Sequence, residues 1–119
     1  MIYRFSITTP ASTTTAAKQK TILQLARGII HRIEIDFPAG SMGALHLGIY
    51  RGLHQVWPSN TGEEFSADNR EIVFAEYYEM FWTPYILEAH TWNESLNNDH
   101  ELIIRIGLLQ RKHVLRKII

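Results

Sequence analysis

Apolar and polar residues alternate with a period of two along most of this 119-residue chain. The spacing is typical of β-strands with one buried and one solvated face, because successive side chains of a strand point to opposite sides. The pattern predicts seven strands, at 2–8, 22–26, 29–37, 44–51, 71–80, 85–92 and 101–109. In the third of these, one face is expected to bury Ile29, His31, Ile33, Ile35 and Phe37, and Gly28 is expected to form a bulge.

The segments between the predicted strands are polar or rich in turn-forming residues. Residues 10–20 are small and rich in threonine, which predicts a loop or arm, and residues 52–70 read as one long connection. Residues 110–119 form a basic tail with an apolar minority. The spacing of these apolar residues fits a short helix, and a short extra strand is the competing assignment.

Seven β segments without a convincing amphipathic helix or a βαβ rhythm predict an all-β fold. The expected architecture is a single domain over residues 1–119, an antiparallel β-sandwich of the jelly-roll-like, Greek-key kind. In its succession of strands and the sizes of its connections, the segment 22–109 resembles the compact single jelly-roll subunits of viral and phage structural proteins. The resemblance implies a structural role, with a virion as one setting.

Composition narrows the classes of protein that this chain can belong to. It contains no cysteine, so disulfides and thiolate zinc sites are excluded and stability must come from packing. Its apolar runs are only a few residues long, so no membrane span is expected. Its first residues have strand character and lack the apolar core of a signal peptide, which leaves a virion or the cytoplasm as the expected location.

The charges sum to zero but are sorted along the chain. Residues 1–33 carry five cations and no acid, residues 34–101 carry all twelve acids against Arg51 and Arg70, and residues 102–119 carry five cations. Opposite-sign surfaces attract each other at encounter and set the register between partners. The cationic and acidic blocks can pair with each other within one chain or between copies, and both readings stay open at this stage.

Catalytic signatures are weak. Glu88 and His90 point to the same side of one predicted strand and are the only pair that suggests a cupin-like metal site, but a metal needs three or four ligands. Ser41 does not lie in a nucleophile elbow, and the chain has no glycine-rich phosphate loop. We therefore expect no enzymatic activity, no catalytic residue, no metal and no cofactor.

Aromatic residues at predicted strand ends and in connections suggest a contact surface. Trp57, Trp82 and Trp92 lie near asparagines, which would suit a carbohydrate or small-ligand platform built on ring stacking. They would equally suit a protein interface or the closing of the sandwich ends. The platform and the interface are therefore separate predictions.

The charge blocks lead to the preferred functional hypothesis, a structural protein that forms symmetric homo-oligomers or decorates a larger particle as a capsid, decoration or tail component. The expected partner is the protein itself or another structural protein, because the acidic middle block would repel nucleic acid. The predicted contacts join the tail residues Arg111, Lys112, Arg116, Lys117, Ile118 and Ile119 to the acidic residues Glu63, Glu64, Asp68 and Glu71. The alternative is a carbohydrate- or small-ligand-binding β-sandwich module.

Overall fold

The structure, a computed structural model, describes residues 1–110. They form nine strands, with a 3-10 turn at Thr15–Ala17 between the first two. The strands are β1 Ile2–Thr9, β2 Gln19–Gln24, β3 Gly28–Phe37, β4 Leu45–Arg51, β5 His54–Trp57, β6 Phe65–Ser66, β7 Arg70–Met80, β8 Ile86–Asn93 and β9 His100–Leu109. The predicted helix or strand at 110–119 lies, apart from Gln110, outside the described residues.

The strands pair into two antiparallel sheets packed as a sandwich. The first sheet has the order β1-β9-β3-β7, and the second has the order β2-β8-β4-β5, with β6 also paired to β4. From β1 to β4 and again from β7 to β9, each successive strand lies in the opposite sheet. The chain therefore alternates between the two sheets over most of its length, and the predicted all-β antiparallel sandwich is confirmed.

The core consists of the inward side chains of both sheets. Leucine and isoleucine dominate it, with fully buried residues that include Ile33, Ile35, Leu47, Leu87 and Ile104. Each such side chain contributes about 1.5–3 kcal/mol through the hydrophobic effect. Without a disulfide, this packing and the strand ladders hold the sheets together.

The predicted faces of β3 are correct after Arg32. Before Arg32, Ile29 is buried as predicted, but Ile30 is buried as well and His31 is only half-buried. Ile30 pairs with Leu108 and Arg32 pairs with Gly107, so β3 has one more residue than β9 at His31. The irregularity therefore lies at His31, whereas the sequence predicted it at Gly28. It brings Ile30 into the core cluster, whereas Ile29 lies outside that cluster. His31 is half-buried and covers Gly107, where a Cβ would lie 2.8 Å from its Nε2.

Two predicted connections contain strand residues. The segment 52–70 includes β5 and β6, and the threonine-rich segment gives way to β2 already at Gln19. The rest of that segment follows the sandwich closely, because Thr13 bridges to Asn93 and the Ala11 amide donates to Asp99. These contacts fix residues 10–18 against the β8–β9 connection.

Candidate functional site at the two ends of the sandwich

Three connections lie at one end of the sandwich, namely 25–27, 52–53 and 81–85. β9 finishes at the same end, since Leu109 pairs with Ile29, the second residue of β3. From here the chain continues through Gln110 into residues 111–119. We call this end the tail end.

Two arginines tie the connections of the tail end together. Arg51 donates from Nη2 to the Trp82 carbonyl at 2.7 Å. Arg27 donates from Nε to the Phe81 carbonyl at 3.4 Å and lies 5.1 Å from the centre of the Phe81 ring. Trp82 is nevertheless 69% exposed and Leu53 is fully exposed, so the tail end presents apolar side chains on a fixed backbone.

The opposite end carries the connections 10–18, 38–44, 67–69 and 94–99. We call it the acidic end. Acidic residues lie in these connections, in the adjoining strand ends or beside them, namely Asp36, Glu64, Asp68, Glu71, Glu94, Asp99 and Glu101. Lys18, Arg70 and Arg105, which bonds to Asp36, are cations of the same region, and these three are outnumbered by the seven acids. The acidic end therefore carries a net negative charge.

Asp68 has a structural role at the acidic end. Its Oδ1 accepts hydrogen bonds from the backbone amides of Gly40 and Met42, both at 2.9 Å. Both of these residues have positive φ, of 89° and 50°, so the turn that follows β3 needs such an anchor. The turn also exposes Met42, which is 84% accessible.

Glu71 belongs to an ionic group on the outer face of the first sheet. It pairs across the strands with Asp36, and Arg105 donates from Nη1 to Asp36 Oδ2 at 2.7 Å. A hydrogen bond to Asp36, and then partial burial and the negative charges of Asp36 and Glu34, raise the pKa of Glu71. The hydrogen bond to Asp36 likewise raises the pKa of Arg105.

His46 is the centre of a cluster at the acidic end of the second sheet. Its ring stacks on Trp92 with centroids 4.9 Å apart, and Lys18 Nζ lies 4.4 Å from the centre of the Trp92 ring. The His46 nitrogens lie 3.6 Å from Glu64 and 3.3 Å from Glu94. The fold therefore brings together two acids that are thirty positions apart in the sequence.

A cleft of ≈ 330 Å³ opens beside this cluster. Its lining comes from the threonine-rich segment and from the start of the β8–β9 connection, namely Ser12, Thr13, Thr14, Thr15, Trp92, Asn93, Glu94 and Leu96. Leu96 is 80% exposed at its edge. Sequence reasoning missed this cleft, because its two walls are some eighty residues apart along the chain.

Glu88 and His90 meet as predicted, with Glu88 Oε2 and His90 Nε2 3.1 Å apart. Tyr50 stacks on His90 at 4.0 Å, and these residues border a second cleft together with Lys20. Among residues 1–110 no group of three or more histidine, aspartate or glutamate side chains is arranged to hold a metal ion. Ser41 is buried, and its hydroxyl donates to backbone carbonyls, including that of Ala67 at 2.9 Å.

The three tryptophans do not form one platform. Trp57 is 3% exposed, packs edge-on against Phe74 and Tyr78, and donates from Nε1 to Glu76 at 2.9 Å. Trp82 and Trp92 lie at opposite ends of β8, which spans roughly 23 Å at about 3.3 Å per residue. A ligand could therefore contact only one of them at a time.

The predicted acidic residues are likewise not a single patch. Asp68, Glu71 and Glu64 lie at the acidic end, where Glu64 belongs to the His46 cluster. Glu63 is exposed on segment 58–64, and its carbonyl accepts from Gln55 of β5, so it lies along the sheet edge. The predicted tail contacts Arg111, Lys112, Arg116, Lys117, Ile118 and Ile119 lie outside the described residues.

No protein-family model, curated protein or solved structure matches this chain. Residues 1–110 contain no helix with the length and apolar character of a membrane span.

Proposed function

We propose that this protein is a non-enzymatic assembly subunit whose copies join head to tail. In this arrangement the cationic segment 111–119 of one copy contacts the acidic end of the next copy. One observation carries the proposal: β9, the last strand before the cationic segment in the sequence, finishes at the end opposite to the acidic connections.

The length of the segment favours a contact between copies over one within a copy. β9 has ten residues and alone separates the two ends by about 30 Å. Nine residues span at most about 30–32 Å when fully extended. A tail could therefore reach the acidic end of its own copy only as a straight strand, whereas a neighbour stacked end to end lies within easy reach.

The charges predict a weak and salt-sensitive contact. Exposed ion pairs contribute roughly 0.2–1 kcal/mol each, so the four tail cations supply only modest affinity. At physiological ionic strength these interactions are screened beyond about 8 Å. Burial of Ile118 and Ile119 would add a salt-insensitive contribution to the affinity.

A head-to-tail contact is heterologous, so it closes into a ring when the rotation between copies permits and otherwise extends as a chain. Either form suits a repeated component of a larger particle. The resemblance of segment 22–109 to the jelly-roll subunits of viral and phage structural proteins favours a virion as that particle, with the protein as a capsid, decoration or tail component.

Light scattering at low and high salt tests the proposal. We expect the full chain to form oligomers that dissociate as salt rises, and we expect Arg116→Gln/Lys117→Gln to weaken them. The matched control is Arg4→Gln/Lys20→Gln, which removes the same charge from exposed strand positions. A monomer at every salt concentration, or equal weakening by both variants, would contradict the proposal.

Trp92 keeps the alternative of a carbohydrate- or small-ligand-binding module open. Trp92 is only 6% exposed but lines the cleft beside hydroxyl side chains, whereas Trp57, 3% exposed, packs against Phe74 and Tyr78. This alternative predicts a change in tryptophan fluorescence on adding a sugar, which head-to-tail assembly does not require.

A further inference from the structure

We infer that the cleft between residues 12–15 and the β8–β9 connection receives Ile118 and Ile119 of a neighbouring copy. The inference rests on the proposed head-to-tail assembly and names its receiving site. The occupant is therefore a segment of a second copy of this chain.

The chemistry of the cleft fits an apolar pair that follows two cations. Its apolar lining consists of the exposed Leu96 and the largely buried Trp92, and it borders Glu94, whose side chain is 65% exposed. Arg116 and Lys117 directly precede the two isoleucines in the sequence. With the isoleucines in the cleft, these cations would lie within a few ångströms of the acidic rim, at about 3.3 Å per residue.

The walls of the cleft are held in place by hydrogen bonds. Asn93 is fully buried and donates from Nδ2 to the carbonyls of Thr9 and Asn98. The Ser12 amide donates to the Ser95 carbonyl at 2.8 Å, which joins the two walls. A preformed site loses little conformational entropy on binding, which favours a short and weakly binding segment.

The size of the cleft also fits this occupant. At ≈ 330 Å³ it lies at the lower end of the range for ligand pockets, roughly 300–1,000 Å³. It therefore suits a pair of aliphatic side chains better than a large ligand. The isoleucines of the same copy could reach it only along a fully extended path, as the length of β9 requires.

Disulfide trapping tests the inference, because the chain has no cysteine of its own. A full chain with Leu96→Cys is mixed with a full chain carrying Ile118→Cys under oxidising conditions, and the mixed dimer is quantified by mass spectrometry. The matched control is Met42→Cys, which is equally exposed at the acidic end but outside the cleft. Each rate is normalised to the reaction of that thiol with a small disulfide.

We expect the Leu96→Cys pair to crosslink at least about tenfold faster than the Met42→Cys pair, because docking raises the effective concentration of the two thiols. Equal rates in a mixture that still assembles would overturn the inference and leave the head-to-tail proposal standing. A failure of the unmodified chain to associate would overturn both. Rapid closure within one diluted chain carrying both cysteines would identify the tail of the same copy as the occupant, and would also overturn the inference.

Discussion

Glu71 and Asp36 face each other on neighbouring strands, with Arg105 bonded to Asp36. Two carboxylates in this position repel each other unless one of them holds a proton. The pKa of Glu71 is therefore raised, and the hydrogen bond to Asp36 is the largest cause of the increase. Glu71, one of the predicted assembly contacts, therefore also affects the stability of the sandwich.

Replacing Glu71 by glutamine is expected to stabilise the protein at neutral pH. In the wild type, a folded-state pKa above the ordinary value of 4.5 stabilises the fold at low pH, and this stability is lost as pH rises through the folded-state pKa. The amide of the Glu71→Gln variant does not ionise and can still donate a hydrogen bond to Asp36. Denaturation midpoints from about pH 3.5 to about pH 8 should therefore show a benefit that grows with pH.

The control for this prediction is Glu79→Gln, which lies at the other end of β7 and is also exposed. It removes the same charge from the same strand without touching Asp36. A benefit of Glu71→Gln that did not change with pH, or that Glu79→Gln reproduced, would contradict the explanation.

At the scale of strands, alternation predicted the long elements well and the short ones poorly. The predicted strands that correspond to β4, β7, β8 and β9 end within a residue or two of the observed ends. β5 and β6 have four and two residues, too few for alternation to register. The irregularity at His31 appears in the pairing of β3 with both β7 and β9, which the sequence of a single strand does not encode.

The close approach of β3 and β9 at the tail end makes Gly28 sensitive to substitution. A Cβ there would lie 2.5 Å from the Leu109 carbonyl oxygen, so the backbone itself would have to move. We expect Gly28→Ala to cost about 1–3 kcal/mol of unfolding free energy, as overpacking does. Urea denaturation measures the loss.

Gly48→Ala is the matched comparison. The nearest atom to its new Cβ would be Cε1 of the Tyr50 ring at 3.1 Å, and a side chain can turn away at the expense of the Tyr50–His90 stack. The loss should be smaller, about 0.5–1.5 kcal/mol for one aromatic contact. A larger loss for Gly48→Ala than for Gly28→Ala would show that β3 and β9 can separate easily.

For the molecule as a whole, folding pairs some charges of the sequence blocks and separates others. Arg32 bonds to Glu34, and Arg105 bonds to Asp36, so two cations from the basic blocks are matched within the chain. The acidic connections and the start of the tail stay apart, at opposite ends. The charge blocks of the sequence left open which charges would meet, and they could not predict the cleft, whose walls are some eighty residues apart along the chain.

A copy with a neutral tail should act as a chain terminator. The variant R111Q/K112Q/R116Q/K117Q keeps its acidic end, so it accepts one neighbour but offers no cations to the next. One such copy in ten should limit open chains to about ten subunits on average. Light scattering of mixtures of this variant with the wild type would measure the mean number of subunits in a chain.

The control mixture contains Arg4→Gln/Lys20→Gln, which should enter assemblies without shortening them. If the tail variant merely diluted the wild type, so that the mass was the weighted mean of the two proteins, the head-to-tail contact would be excluded.

The position of β9 has a mechanical consequence. The tail continues directly from β9, which is paired with β1 on one side and β3 on the other. A pull on a docked tail would act along this strand, whereas antiparallel ladder bonds run across the strands. The bonds of both ladders would share the load and break together, so tension should separate neighbouring copies at their contact before it unravels either one.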